Sequence, residues 1–165
     1  MIQSIRGFRA LIVAGLVGLT SSGCTDSKAQ AESLSGIAPE GAEITVYLTP
    51  TCGCCSGWIE HMRAAGFTVN TVYQDNLTET QHRLGVPDDV LSCHVGVIDN
   101  YVVEGHVPAE DVARMLRERP QIAGIAVPGM VTGTPGMESM FSHGDPYDVV
   151  SFDSNGEVRV YESHR

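Results

Sequence analysis

Residues 43–58 read EITVYLTPTCGCCSGW, and this stretch decides the fold. Its first part, residues 43–49, alternates and is rich in β-branched side chains, which is typical of a strand. Its second part contains three cysteines in four positions, Cys52-Gly53-Cys54-Cys55, and leads into residues 53–65, whose pattern predicts a helix that stops at Gly66. The cysteines therefore lie at a strand-to-helix junction.

The rest of the chain continues this alternation of strands and helices. A tight turn at Asp99-Asn100 separates two of the strands, because these residues tolerate a positive φ. The predicted β-α-β-α-β-β-α order is that of a thioredoxin-like α/β fold, extended by a C-terminal loop and a β-hairpin. After the first strand and helix, the predicted segments are strand 67–73, helix 76–84, strands 95–99 and 101–105, helix 108–119, a strand-like run at 122–127, a Gly/Pro/Met loop at 128–146, and hairpin strands 147–153 and 157–162.

The N-terminal residues predict export. Residues 1–23 carry two arginines, an apolar run and then small residues, which is the pattern of a signal peptide and too short for a membrane span. Cys24 stands where a bacterial lipoprotein has its acylated cysteine, so both a lipid anchor and cleavage to an unanchored periplasmic protein fit. Residues 24–41 are mainly small and polar and predict a flexible tether. One domain remains, residues 42–165.

The charge of the chain argues against some partners. The formal net charge is −10, and removal of residues 1–23 takes away two arginines and no acids, which gives −10 − 2 = −12. Such acidity disfavours nucleic acid and anionic lipid and mildly concentrates cations. We therefore expect no nucleic-acid partner, and membrane contact only through Cys24.

The cysteine cluster indicates either thiol redox chemistry or metal binding. Cys52 and Cys55 have the C-x-x-C spacing of a redox pair. A purely structural Cys52–Cys55 disulfide, which would stabilise the fold of an exported protein, is one interpretation, but it does not explain Cys54. Clustered soft sulfurs favour Cu(I), zinc or iron–sulfur centres.

Cys93 is the predicted fourth thiol. In the thioredoxin-like order, the segment that enters the third strand faces the C-x-x-C pair and normally holds a cis-proline, but here it reads Ser92-Cys93-His94. A cysteine at this position would complete a four-sulfur nest, which consists of Cys52, Cys54, Cys55 and Cys93.

The predicted pairing of strands 95–99 and 101–105 places a histidine beside this nest. Counting outward from the Asp99-Asn100 turn sets Cys93 opposite His106, and directly opposed residues have Cβ atoms roughly 5 Å apart. His106 is therefore a candidate ligand or a neighbour of the ligands, the alternative being an ordinary loop histidine. His94 is expected to point to the opposite face.

The Gly/Pro/Met loop at residues 128–146 offers further candidate ligands. Met130 and Met137 belong to two Pro-Gly-Met turns, followed by Met140 and His143. Thioethers are soft ligands suited to Cu(I), although methionines also fill gaps in cores. Met130 is the candidate taken from this loop.

The helix after the cysteines offers no further ligand. His61 follows Cys54 by seven residues, roughly 10 Å further along the helix, which is too far for a shared centre. Trp58 is expected to shield the cluster from water or to fill the core.

The motifs together resemble a known family. They are Thr49-Pro50-Thr51-Cys52-Gly53-Cys54-Cys55, Trp58 with His61, Ser92-Cys93-His94, Tyr101-Val102-Val103-Glu104-Gly105-His106-Val107-Pro108 and Val127-Pro128-Gly129-Met130. The chain is similar, over about residues 44–161, to a metal-binding family long catalogued as a domain of unknown function, whose named members are CopG-type periplasmic copper-resistance proteins. The resemblance implies a thioredoxin-like fold with copper bound at Cys52, Cys54, Cys55 and Cys93. It also implies a redox change in which thiolates hold Cu(I) and oxidation gives disulfides.

The expected function is Cu(I) binding in copper resistance or copper transfer. Its partners would be copper ions and periplasmic copper chaperones or efflux components. Zinc and iron–sulfur centres are alternatives for the metal. The rival function is that of a thiol–disulfide oxidoreductase that uses Cys52 and Cys55, against which the missing cis-proline and the surplus thiols argue. The sequence favours a metal-binding protein over an enzyme, and the enzyme that it would allow is a copper- or thiol-redox oxidoreductase.

Overall fold

A computed structural model describes residues 35–138 and 144–165. The predicted signal peptide, the lipidation candidate Cys24 and the loop residues Met140 and His143 lie outside the described residues. The order of elements in the two described ranges is β1 Glu43–Leu48, α1 Gly53–Ala64, β2 Thr68–Tyr73, α2 Leu77–Arg83, a 3-10 turn Asp88–Val90, β3 His94–Ile98, β4 Tyr101–Glu104, α3 Ala109–Glu118, β5 Gly124–Ala126, β6 Tyr147–Phe152 and β7 Val158–His164.

This order confirms the predicted fold class. The β-α-β-α-β-β-α core is followed by one further strand and a terminal hairpin, as expected for a thioredoxin-like α/β fold with a C-terminal extension. The helices and strands agree with the predicted segments to within two residues at every end, and the short 3-10 turn before β3 is the element that the sequence pattern did not predict. Asp99 has a φ of 50°, which is the turn conformation expected between β3 and β4.

The strands form one sheet in the order β2-β1-β3-β4-β5-β6-β7. β1 pairs in parallel with β2 and antiparallel with β3, and the pairing of Leu48 with His94 brings the start of β3 beside the end of β1. β5 pairs in parallel with β4 and carries the β6–β7 hairpin on its other side. The C-terminal extension therefore lengthens the core sheet.

Helices cover both faces of this sheet. Ile44, Val46 and Leu48 of β1 pack in the same apolar cluster as Trp58 and Met62 of α1. The intervening Tyr47 packs instead with the cluster that contains Leu77 of α2. This division follows the strand period of two. Complete burial of each large apolar side chain contributes roughly 1.5–3 kcal/mol, which fixes α1 in place on the sheet.

The described part of the chain has no helix that is both long enough and apolar enough to cross a bilayer.

The loop after β5 packs closely against α1 through two glycines. A Cβ atom on Gly57 would lie only 2.9 Å from the Cα atom of Gly136. Gly136 has a φ of +85°, a conformation that side-chain-bearing residues rarely adopt. The contact holds Pro135, the residue before Gly136, near the first turns of α1.

Substitution of Gly57 by alanine should therefore lower stability. Alanine favours a helix over glycine by about 1 kcal/mol, but at position 57 the overlap with Gly136 should outweigh that gain and cost about 1–3 kcal/mol net. Gly53→Ala is the matched control in the same helix, since a Cβ atom there has nothing within 4 Å. Urea unfolding of both variants at one fixed redox state measures the difference. Equal stability of the two variants would contradict the close packing.

Candidate metal centre

Four sulfur atoms converge where β1 ends and α1 begins. The Sγ atom of Cys54 lies 3.7 Å from that of Cys52 and 3.9 Å from that of Cys93, and the Cys55–Cys93 distance is 3.7 Å. All four sulfurs lie within 4.8 Å of one another, so the structure brings together the cysteines that the sequence analysis grouped. The sulfurs of Cys52 and Cys55 are at bonding distance, whereas Cys54 and Cys93 are free thiols.

Two elements deliver these cysteines. Cys52 occupies the N-cap position, immediately before α1, and Cys54 and Cys55 lie in the first turn of the helix. Cys93 directly precedes β3, whose first residue His94 pairs with Leu48 of β1. The antiparallel pairing therefore carries Cys93 to the end of the sheet where α1 starts. Cys55 is buried, while the other three cysteines are partly exposed.

The electrostatics of the nest differ between its two sides. Cys52 makes no side-chain cap and the first turn of α1 has no acidic residue, so the free N–H groups and the helix dipole favour negative charge there. On the other side, burial and then the neighbouring Cys54 raise the pKa of Cys93 to about 12. Cys93 is therefore mainly protonated at neutral pH in the metal-free protein, and a thiophilic cation would have to displace that proton.

His106 faces Cys93 in the predicted register. The Nε2 atom of His106 lies 3.1 Å from the Cys93 sulfur, and its Nδ1 atom lies 2.8 Å from the carbonyl oxygen of Pro135. Because a carbonyl oxygen only accepts hydrogen bonds, Nδ1 carries the proton and the Nε2 lone pair points at the sulfur. A histidine held in this way by a carbonyl is arranged as metal-ligating histidines usually are.

The orientation expected for His94 is wrong. Its Nδ1 atom lies 3.4 Å from the Cys93 sulfur, and its ring centroid is 4.4 Å from that of Trp58 and 5.0 Å from that of His106. His94 is the first residue of β3 and faces α1, whereas Cys93 precedes the strand and does not follow its alternation. Burial and then His106 lower the pKa of His94 to about 3, so the ring is neutral. Cys93, His94 and His106 form a second group with potential ligand atoms within 4.8 Å.

Trp58 and His61 both have structural contacts. Trp58 is fully buried against His94, and its indole N–H donates to the carbonyl oxygen of Val107 at 2.8 Å. The backbone N–H of Ala109 donates to Nε2 of His61 at 3.0 Å. In the neutral ring the proton is then on Nδ1, so His61 has no free lone pair for a metal in this arrangement. The exclusion of His61 from the centre stays a prediction.

The two methionines of the Pro-Gly-Met turns have different surroundings. Met137 is buried, as expected for a side chain that fills a gap in the core. Met130 is 63% exposed. Its thioether lies at the surface, and its role as a ligand stays a prediction.

Glu104 is a site residue that sequence reasoning missed. It is fully buried, and its Oε1 atom accepts hydrogen bonds from the Ser92 backbone N–H and the Gln81 side-chain amide, both at 2.6 Å. Burial raises the pKa of Glu104 to about 8, although these two hydrogen bonds oppose the shift. The contact fixes Ser92, and thereby the residue after it, Cys93. An acidic residue in the otherwise apolar strand Tyr101–Glu104 was the available signal.

Comparison with known proteins places the chain in a family. The family described as "Protein of unknown function, DUF411" matches residues 90–137. A solved structure named "Copper resistance protein copG- Form 2" is 44% identical, with 76% of this chain and all of that chain covered and a TM-score of 0.72. A second, "Copper resistance protein copG- Form 1", is 45% identical, with 74% and 96% covered and a TM-score of 0.69. No curated protein matches the chain.

The fold and the site thus define a thioredoxin-like α/β protein with a cysteine cluster able to hold a metal ion. The chain belongs to the family of the proteins named copper resistance protein CopG, and its residues 90–137 match the family described as DUF411. This confirms the resemblance drawn from the motifs.

The buried carboxyl group of Glu104 should make stability depend on pH. Between about pH 4.5 and 8 the folded chain keeps a proton on Glu104 that the unfolded chain releases. The free energy of unfolding should therefore fall as pH rises through this window. Glu104→Gln keeps an oxygen acceptor and cannot ionise, so its stability relative to the unmodified protein should increase with pH over the same range.

Urea unfolding of metal-free protein at several pH values across that window measures this difference. Glu60→Gln, at an exposed position of α1, controls for the loss of a carboxylate. A pH-independent difference for Glu104→Gln would show that the folded carboxyl group ionises as freely as the unfolded one.

Proposed function

We propose that the protein binds Cu(I) through Cys52, Cys54, Cys55 and Cys93. The observation that carries this proposal is the spacing of the sulfurs. A metal ion bonded to thiolates at about 2.3 Å holds them roughly 3.7–4.0 Å apart in tetrahedral or trigonal geometry. The contacts of Cys54 with Cys52 and Cys93, and of Cys55 with Cys93, are 3.7–3.9 Å. Reduction of a Cys52–Cys55 disulfide to two thiols would make all four sulfurs available as ligands.

Copper is favoured over other metals by two arguments. Thiolates are soft ligands, and the solved relatives carry the name copper resistance protein. His106 presents a neutral nitrogen to Cys93 and would supply a further ligand, with Met130 as a second candidate. Zinc and iron–sulfur centres use similar sulfurs, and metal analysis and the absorption spectrum distinguish them from Cu(I).

The same residues would allow copper to change oxidation state. Two thiolates, Cys52 and Cys55, can each give one electron to a Cu(II) ion, which yields one disulfide and two Cu(I) ions. The helix start favours the thiolate form that this step consumes. The protein would then serve copper resistance by holding or passing on Cu(I) in an oxidising compartment.

The location and the partners belong to the same proposal. Residues 1–23 would direct export to the periplasm, and Cys24 would provide a lipid anchor where it is acylated. Periplasmic copper chaperones or efflux components would then deliver or receive the ion.

A thiol–disulfide oxidoreductase is the second candidate function. The C-x-x-C spacing of Cys52 and Cys55 at the start of α1 favours it. Against it, the segment before β3 has Cys93 where such enzymes have a cis-proline. Reduction of insulin at rates typical of thioredoxins, by metal-free protein, would support this function over copper binding.

Anaerobic titration of the reduced protein with Cu(I), in competition with a colorimetric Cu(I) chelator, tests the main proposal. The unmodified chain should take up at least one Cu(I) per molecule. Replacement of all four cysteines by serine should weaken binding by at least about 100-fold, because hydroxyl groups are poor ligands for soft ions. Circular dichroism checks that the variant is folded. Equal binding by the folded variant would refute the cysteine site.

The contribution of His106 can be separated from that of the cysteines. His106→Ala should lower Cu(I) affinity about 10- to 100-fold, the range expected for loss of a ligand or an orienting neighbour. His61→Ala is the matched control, because its ring accepts a hydrogen bond from Ala109 and does not face the sulfurs. The same chelator competition measures both. Unchanged affinity in His106→Ala would remove this histidine from the site.

A further inference from the structure

The two free thiols of the nest lie against the paired ones. The Cys93 sulfur is 3.7 Å from the sulfur of Cys55, which is itself at bonding distance from Cys52. The sulfur of the second free thiol, Cys54, is 3.9 Å from that of Cys93. A nucleophilic thiol, a disulfide sulfur and a further thiol are therefore held in contact within one chain.

We propose that the site carries out an internal thiol–disulfide exchange, in which Cys93 is the nucleophile, Cys55 is the sulfur attacked and Cys54 completes the transfer. The exchange moves the disulfide from Cys52–Cys55 to Cys54–Cys93. It is a reaction of the metal-free protein and stands independently of copper binding.

The exchange proceeds in two balanced steps. In the first, the small fraction of Cys93 that has lost its proton to water attacks Cys55, so the Cys55–Cys93 bond forms, the Cys52–Cys55 bond breaks and Cys52 leaves as a thiolate. In the second, the Cys54 thiolate attacks Cys93, so the Cys54–Cys93 bond forms and Cys55 is released. The protons lost by Cys93 and Cys54 end on Cys52 and Cys55 through water. No oxidant or reductant is consumed.

The placement of the four residues favours this route. Groups held in contact react as if at very high concentration, and here β3 and α1 hold the sulfurs within 4.8 Å of one another. An in-line attack requires the Cys93 side chain to turn about its Cα–Cβ bond, and Cys93 precedes β3 and is partly exposed. A bridge between the neighbours Cys54 and Cys55 would distort the peptide that joins them, which leaves Cys93 as the partner of Cys54.

The exchange changes which thiols the oxidised protein presents. With the Cys52–Cys55 disulfide, the free pair is Cys54 and Cys93, in which the pKa of Cys93 is raised by burial. With the Cys54–Cys93 disulfide, the free pair is the C-x-x-C pair at the start of α1. An oxidised chain would thus still offer two thiols beside the helix dipole.

The sequence provides a direct readout of the two isomers. Trypsin cleaves after Lys28, Arg63, Arg83 and Arg114, which places Cys52, Cys54 and Cys55 on peptide 29–63 and Cys93 on peptide 84–114. A Cys52–Cys55 disulfide leaves the two peptides separate, whereas any bridge to Cys93 links them. Mass spectrometry of an alkylated, unreduced digest distinguishes these forms.

The test starts from the isolated unlinked isomer. Metal-free protein that carries one disulfide is quenched in acid, and the isomers are separated by reverse-phase chromatography in acid, where exchange stops. The unlinked isomer is returned to neutral pH with a chelator and no redox reagent, and circular dichroism verifies refolding. Linked peptides should appear with time, at a rate independent of protein concentration and at least about tenfold faster than in guanidinium chloride.

Two variants separate the steps. Cys54→Ser should stop after the first step, with linked peptides that contain a Cys55–Cys93 bridge and an alkylated Cys52. Cys93→Ser should stay unlinked. The proposal is overturned if the unlinked isomer of the folded, unmodified protein stays unlinked for a day, or if the folded protein exchanges no faster than the unfolded chain. Copper titration of the reduced protein is a separate measurement, so failure of the exchange leaves the copper proposal standing.

Discussion

The site depends on one pairing in the sheet, that of Leu48 in β1 with His94 in β3. This antiparallel register decides that the residue before β3 arrives beside the residues that follow β1. A shift of one residue would turn every side chain of β3 to the other face. Three cysteines from the start of one helix and a fourth from a distant segment meet because the backbone hydrogen bonds of two strands align them.

The C-terminal extension helps to position His106 beside the cysteines. β5 joins the sheet next to β4, and the loop that follows returns to α1, where Gly57 and Gly136 approach closely. The return brings the Pro135 carbonyl oxygen to His106, which fixes the tautomer of that ring and aims its lone pair at Cys93. The extension thus sets which ring nitrogen of His106 carries the proton.

Much of the fold and the cysteine grouping could be predicted because both follow from local patterns. Strand alternation, helix stops and a two-residue turn determine the order of elements, and counting from that turn gives the position of His106 opposite Cys93. The predictions fail where the position or role of a residue depends on more than the sequence pattern of its own segment. Alternation predicts the wrong face for His94, because Cys93 lies before the first residue of β3 and does not follow the alternation of the strand. Glu104 was missed because its role depends on Gln81 and Ser92, which tertiary packing brings to it.

The separation of Cys93 from the other three cysteines along the chain has a thermodynamic consequence. A bond between Cys52 and Cys55 spans three residues, and chain-entropy arguments assign so short a loop only roughly 1.5 kcal/mol at 25 °C. A link from α1 to Cys93, through a metal ion or through sulfur, closes a loop of 38 residues between positions 55 and 93. Chain-entropy arguments assign such a closure roughly 4 kcal/mol at 25 °C. A metal ion or a disulfide that joins Cys55 to Cys93 therefore also stabilises the fold, because it lowers the conformational entropy of the unfolded segment that contains β2 and α2.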